Sequence, residues 1–385
     1  MGSAPGDGIR ARGERPLKIA LATDRVDSVS GLGRIVQALS RTLAGRNSEV
    51  WVLARSVSGV SEGVRTRTLP EVPFSRALGK LSMRHTLARA VAGRGFDILH
   101  SFGVGRGADV VSAQSCHREG MEVRRRVGHR VLPHRGWGLF DRVVLGDERA
   151  LYGSRRTRRI VAVSGRVREE LIRWYGVDPE RIVVIPNGYH PPAFSPRAGD
   201  APEEGSSVVL LFVGNEFDRK GLGVLLEAAA LLRSHPVTIL VAGSDDPRPW
   251  GRLAERLGIG ARVRFLGVPE RIEPLYARAD VFVFPTLYEP FGMVVVEAMA
   301  AGLPVIASAG CGAVEGFRRG KDLLLVDDPL CAAELARALR SLVDDPGLRR
   351  SLGEAARLAV RHMSWDSVAE RLAGVYGEVM AEKTS

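Results

Sequence analysis

Apolar and polar positions along the chain alternate between two periods, one of short apolar runs and one of helical spacing. Residues 17–23 (LKIALAT) have the composition of a strand, and 31–46 then place Leu32, Ile35, Val36, Leu39 and Leu43 at helical spacing. Strand-like runs follow at 49–53, 96–101, 108–113 and 159–163. Ser164 stands where a helix N-cap is expected, with a helix to Tyr175 and a strand at 182–185. Residues 118–152 mix Arg with Trp137 and Phe140 and keep neither period, so they read as an insertion that carries the acceptor side or a surface contact.

Residues 186–205 hold prolines at 186, 191, 192, 196 and 202 and read as a linker between domains. The alternation then restarts: strands at 208–213, 237–242, 263–265, 281–284 and 304–307, helices at 221–233, 250–257 and 293–301. Three helical patterns, 332–343, 348–362 and 368–380, close the chain. Strands alternating with helices imply right-handed βαβ units and a parallel sheet in each half. Ligands of such sheets sit at the carboxyl ends of the strands, so two facing sheets would make a cleft. The expected divisions are a disordered lead-in 1–16, an N-terminal domain 17–190, a C-terminal domain 191–365 and a returning segment 366–385.

Composition narrows the function classes. The lead-in has no apolar stretch to serve as a secretory signal, and the most apolar window, 293–309, carries Glu297 and Pro304, so no segment is expected to span a membrane. Cys116, Cys311 and Cys331 are far apart, against both a zinc site and a disulfide framework, and a cytoplasmic protein fits. Only five of the 55 basic residues are Lys, and the formal net charge is +11. Arginines cluster at 124–126 and at 155, 156, 158 and 159, a local positive field that would attract phosphates or an anionic membrane face. A solvated basic face is the alternative.

Four local signals carry chemistry. In Glu289-Pro-Phe-Gly-Met-Val-Val-Val-Glu297 a loop follows a strand and a helix begins near Met293, with free N–H groups and a positive dipole end that suit a diphosphate. Glu297, one turn in, would reach the rim and accept from a ribose diol, and Glu289 would meet sugar hydroxyls; a solvated loop residue and a plain helix-start acid are the bland alternatives. In the second signal, Val-Gly-Asn-Glu-Phe-Asp-Arg219-Lys220-Gly221, adjacent cations oppose a helix dipole unless an anion sits between them, as a leaving pyrophosphate would. The third is the glycine loop Ser30-Gly31-Leu32-Gly33-Arg34, which can approach a phosphate closely. The fourth is His117, after the strand at 108–113, which could donate to a sugar hydroxyl or stabilise charge at the anomeric carbon; His100 competes for that role.

Together these residues resemble the large retaining glycosyltransferase family four, from Leu17 to about Tyr376. The similarity rests on the glycine loop, the Val-Ile-Pro-Asn187-Gly188 segment, the Arg219-Lys220-Gly221 turn, the Glu289 to Glu297 pair and the closing Ser364-Trp365. Members that act on the lipopolysaccharide core look nearest, through Val-Gly-Asn-Glu-Phe-Asp-Arg-Lys-Gly and the stretch from Arg118 to Phe140, although the Ser-Cys-His117-Arg segment departs from them. The resemblance implies the GT-B fold, two Rossmann-like domains with a final helix returning to the first. It also implies a nucleotide-diphosphate sugar as substrate, a UDP-sugar favoured, and no metal or cofactor.

By the same resemblance Glu289 would contact the donor sugar, Glu297 the ribose, and Arg219 with Lys220 the pyrophosphate. Backbone N–H groups at Phe291, Gly292 and Met293 would hold sugar and phosphate, and the base would rest near 265–268 and Arg271. The acceptor is expected to be a glycan or glycolipid of the cell envelope. A peripheral contact with the inner membrane face through the Arg-rich first half is expected, and nucleic acid is not a partner. Alternative readings are a hydrolysing sugar-nucleotide epimerase and a non-catalytic carbohydrate- or nucleotide-binding protein. The glycine loop lacks the third glycine of a dinucleotide fingerprint, which disfavours an NAD-dependent dehydrogenase.

Overall fold

A computed structural model describes residues 15–28, 30–70, 76–127, 138–190 and 207–385. Residues 1–14 of the expected lead-in, residues 191–205 of the expected linker and the middle of the expected insertion, 128–137 with Trp137, lie outside the described residues. The chain groups into two compact units, one of Met1–Gly120, Arg135–Gly188 and Trp365–Ser385, the other of Met121–His134 and Tyr189–Ser364.

In chain order the first half comprises β1 (Lys18–Ala22), β2 (Arg25–Val26), α1 (Gly31–Ala44), β3 (Glu49–Ala54), β4 (Ser56–Val57), β5 (Arg65–Thr68), α2 (Arg76–Val91), β6 (Ile98–Ser101), β7 (Val110–Ala113), α3 (His117–Val127), α4 (Leu139–Tyr152), β8 (Arg159–Ala162), α5 (Gly165–Tyr175) and β9 (Ile182–Val184). Seven strands form one parallel sheet in the order β5-β3-β1-β6-β7-β8-β9, and β2 pairs only with β4. The inner strands are buried on both faces, Ala20 and Leu21 alike, which is why they read as continuous apolar runs rather than alternating ones. Ser164 caps α5, accepting from the Val167 N–H, and Gly176 ends it in the left-handed region at φ 61°.

Residues 118–152 are not an irregular insertion where they are described, because α3 and α4 occupy both ends. Their helical period was hidden because the faces they bury carry acids. Glu119, Glu122, Asp147 and Glu148 are all buried, each with a named partner: Trp174 Nε1, Arg125, Arg84 and the Tyr175 hydroxyl. Paired in this way, buried carboxylates are tolerated. Likewise β5 (RTRT), at the sheet edge, is polar and mostly exposed, so it gave no strand signal.

The second half comprises β10 (Val208–Val213), α6 (Leu222–Ala230), β11 (Val237–Ala242), α7 (Arg248–Arg256), β12 (Val263–Gly267), α8 (Glu273–Arg278), β13 (Val281–Phe284), α9 (Met293–Ala300), β14 (Val305–Ser308), β15 (Leu324–Val326), α10 (Ala332–Asp344) and α11 (Pro346–Val360). Its six strands are parallel in the order β12-β11-β10-β13-β14-β15. Val208, Leu210, Phe212, Ile239, Val241, Val281 and Val283 point to one face and meet Leu222, Leu225, Trp250 and Leu339 there. Each such burial contributes about 1.5–3 kcal/mol.

The last helix, α12 (Trp365–Thr384), belongs to the first unit. Its Tyr376 hydroxyl lies 2.7 Å from Nδ1 of His100, whose Nε2 is 2.8 Å from Ser112 Oγ. Its acids Glu378 and Glu382 take Arg159 and Arg158. The expected Arg155–Arg159 positive field is therefore partly neutralised. Among the described residues no helix is long and apolar enough to cross a membrane.

Candidate functional site

The second unit assembles its site from three loops at the carboxyl ends of β10, β13 and β14. Gly221, the N-cap of α6 at φ 82°, is the pivot, since a Cβ there would lie 2.0 Å from the Pro285 carbonyl oxygen. That close approach lets the Arg219 carbonyl accept from Leu287 N–H at 2.9 Å and from Thr286 Oγ1 at 3.2 Å. The turn that carries the basic pair is thus sewn to the loop that carries Glu289.

On this frame Lys220 Nζ donates to Glu289 Oε2 and stands 4.9 Å from the centre of the Phe284 ring. Arg219 donates through Nη1 to the Tyr288 carbonyl and to Glu289 Oε2 at 3.4 Å, and through Nε to Glu216 Oε2 at 2.5 Å. The side chains of Lys220, Glu289 and Arg219 are 12%, 15% and 18% exposed, against 51% for Glu216. Burial alone would raise the Glu289 carboxyl, but Lys220 and Arg219 together hold it below its ordinary range, so it is ionised near neutrality. Burial draws the Lys220 ammonium below its usual range despite Glu289, while Glu289 and Glu216 outweigh burial and keep Arg219 above its own.

The loop from Glu289 to Gly292 is fixed from the other side by the turn after β14. Glu289 N–H donates to the Gly310 carbonyl and Gly312 N–H to the Glu289 carbonyl, both at 2.8 Å. The Phe291 carbonyl accepts from Ala313 N–H at 2.8 Å and from the Cys311 thiol at 2.9 Å. Burial, with the nearby Glu289 charge, pushes that thiol up to about 12. Gly292 caps α9 at φ 101° without a side-chain hydrogen bond, and a Cβ there would stand 2.7 Å from Cys311 Sγ. Phe291 is buried at 4% exposed, and Met293 opens the helix, whose first N–H groups have no partner within it.

Glu297 is not at a rim. α9 is enclosed from Val295 to Ala300, and Glu297, 1% exposed, accepts from the buried Tyr276 hydroxyl at 3.0 Å. Arg271 is 78% exposed and 3.7 Å from Glu273, and Leu266 and Val268, at the end of β12, are exposed too.

The remaining expected residues lie in the first unit. Ser30 caps α1 through the Gly33 N–H at 3.0 Å; a Cβ on Gly33 would lie 2.3 Å from the Asp27 carbonyl oxygen, whereas Gly31 faces open space. His117 opens α3, its Nε2 3.0 Å from Asp141 Oδ1 and its backbone N–H on Glu148 Oε1 at 2.8 Å. Its competitor His100 is fully buried, and burial drives it to about 3, so it is a neutral packing residue. Glu216, Tyr276 and Cys311 were missed in the sequence. Only Glu216 carried a signal, its place within the Asn-Glu-Phe-Asp-Arg-Lys turn.

Two parallel α/β units with a basic turn and an open helix start define the GT-B class of sugar-transferring proteins. The Glycosyltransferase Family 4 model matches residues 29–191 and the Glycosyl transferases group 1 model residues 199–359, and the chain belongs to this glycosyltransferase family. It is 35% identical over 267 residues to a D-inositol 3-phosphate glycosyltransferase of Salinispora arenicola, covering 62% of this chain and 58% of that one. The chain thus spans just over half the length of the first such relatives it matches. WaaG, a glycosyltransferase involved in lipopolysaccharide biosynthesis, shares the fold with TM-score 0.78 at 24% identity over 93% of this chain and 99% of that one. HepE of Anabaena, solved in complex with UDP-glucose, does so with TM-score 0.69 at 19% identity over 94% and 100%.

Proposed function

We propose that the chain is a retaining glycosyltransferase that moves a sugar from a nucleotide-diphosphate donor, a UDP-sugar by preference, to a glycan or glycolipid of the cell envelope. The observation that carries the reading is the convergence of Arg219, Lys220 and Glu289 beside the start of α9, where the N-cap Gly292 has no side chain to occupy the first N–H groups. HepE, which shares the fold, holds UDP-glucose, which favours uracil as the base.

In this reading the acceptor oxygen bonds to the anomeric carbon on the face from which the diphosphate departs. The bond from that carbon to the phosphate oxygen breaks, and the acceptor proton passes to the departing phosphate. Arg219, Lys220 and the N–H groups at Met293 stabilise the growing charge without reorganising. Lys220 has three N–H donors and can keep Glu289 while taking a phosphate oxygen. Glu289, held ionised, receives sugar hydroxyls. Glu297 receives the ribose once Tyr276 yields it, and the exposed Leu266 and Val268 with Arg271 cover the base. In the first unit Gly31 faces open space at the start of α1 and Asp141 orients His117, and this reading keeps both as candidates for phosphate and sugar contacts. No step calls for a metal.

A panel of UDP-, GDP- and ADP-sugars read by thermal shift and turnover tests the assignment. Stabilisation by one donor, with diphosphate release that rises when lipid or polysaccharide acceptor is added, is expected. Release at full rate without acceptor would favour an epimerase or hydrolase instead. Peripheral attachment through Arg124–Arg126 is tested by their neutralisation, which should abolish binding to anionic liposomes; unchanged binding would remove it.

A further inference from the structure

The geometry points to Glu216 as an internal counter-ion that occupies Arg219 in the free protein and is displaced by the incoming diphosphate, so that it sets how strong an anion the site accepts. The inference rests on the nucleotide-sugar reading for the identity of that anion. Arg219 commits Nε to Glu216, and Nη1 to the Tyr288 carbonyl and Glu289. A phosphate that takes a fork of this guanidinium through Nε must therefore replace Glu216, and one that takes it through Nη1 must compete with Glu289 and the Tyr288 carbonyl. The two are unequal: Glu289 is 15% exposed and shared with Lys220, whereas Glu216 is 51% exposed and regains water on leaving. The cheaper exchange removes Glu216.

The backbone of Glu216 cannot follow its side chain away. Its N–H donates to Asp245 Oδ1 at 3.0 Å, the next N–H to Asp245 Oδ2 at 2.7 Å, and its carbonyl accepts from Lys220 N–H at 3.0 Å. It is also held in the left-handed region, at φ 57°, which a residue with a Cβ seldom adopts. The turn thus keeps a carboxylate permanently within reach of Arg219, on a side chain free to swing. Arg124, 3.2 Å from the same Glu216 oxygen, offers the displaced carboxylate an alternative partner. Arg219 and Lys220 are matched by Glu216 and Glu289, so a weak or singly charged anion gains little by displacing a carboxylate. A diphosphate, which also reaches Lys220 and the start of α9, can compete.

Calorimetric titration of the full chain with inorganic pyrophosphate, and separately with UDP, tests this on Glu216→Gln and on Glu216→Asn, whose short side chain tolerates the left-handed backbone. Both variants should bind pyrophosphate roughly ten-fold more tightly than the parent, a gain that corresponds to releasing one charged hydrogen bond. The gain should vanish in an Arg219→Gln background. Unchanged or weaker pyrophosphate binding in both variants overturns the proposal and makes Glu216 a residue that merely orients Arg219; so does an absence of pyrophosphate binding in every protein. Tighter pyrophosphate binding without any UDP binding supports the counter-ion and defeats the nucleotide reading instead.

Discussion

Lys220 and Glu289 grip one another across 69 positions of sequence, with 12% and 15% of their side chains exposed. The partnership is unequal, because Glu289 answers both cations, whereas of those two only Arg219 also donates to Glu216. Replacing Glu289 with Ala leaves Lys220 and Arg219 side by side, while replacing Lys220 leaves the carboxylate with Arg219. The Glu289→Ala protein should therefore be the less stable, by about 1–3 kcal/mol against the parent after allowance for solvent. Urea unfolding of both variants decides this, and equal midpoints would contradict it.

On activity the order reverses in character. Lys220→Ala should cut kcat by roughly two to three orders of magnitude, the size seen when one preorganised donor to a growing charge is lost. A near-parental rate would take Lys220 out of the mechanism.

His100 supplies a pH dependence in the first unit. Its ordinary value of 6.5 falls to about 3 through burial. Below 6.5 the unfolded chain takes up a proton that the folded chain refuses, so stability is complete above that pH and erodes as pH falls toward 3. The full loss amounts to roughly 4–5 kcal/mol. Unfolding followed from pH 7 to pH 4 should show this decline in the parent and a shallower one in His100→Gln, which keeps a hydrogen-bonding side chain for Ser112 and Tyr376. Parallel curves would refute it.

The two glycines of the first loop should part company. Gly33→Ala forces a methyl against the Asp27 carbonyl at 2.3 Å and should cost about 1–3 kcal/mol, whereas Gly31→Ala, with open space around it, should leave the melting temperature unchanged. A donor or acceptor effect confined to Gly31→Ala would place ligand at that opening.

Tyr276→Phe removes a buried donor from the Glu297 carboxylate and should lower stability by about 1–3 kcal/mol. If Glu297 receives the ribose, the same change should alter affinity for UDP more than for its 2′,3′-dideoxy analogue; equal effects would deny that role.

Much of this was legible because the strands of both sheets are apolar runs and the loops carrying chemistry are punctuated by Gly221, Gly292 and Pro290. Arg219, Lys220 and Glu289 were readable as neighbours of strand ends, and the structure does bring them together. What escaped was whatever depends on the direction of side chains or on partners far apart in sequence. The acids of α3 and α4 look like solvent residues until Trp174, Tyr175, Arg84 and Arg125 are seen against them. Glu297 looked accessible because one helical turn is a short distance in sequence, but the enclosure of α9 and Tyr276 decide its exposure. A pairing such as Glu216 with Arg219 needs the direction of two long side chains, which spacing does not give.

Where the chain enters the second unit, at Tyr189, and where it leaves, at Ser364, the two strands of backbone touch: they form a parallel bridge, and Tyr189 N–H donates to the Met363 carbonyl at 2.9 Å. With α12 in the first unit, the piece that runs from Tyr189 to Ser364 is the longer of the two that make up the second unit, and its ends adjoin. Because one backbone hydrogen bond and one bridge tie those ends together, that long piece closes on itself as a loop does, and strain in it is anchored at a single seam.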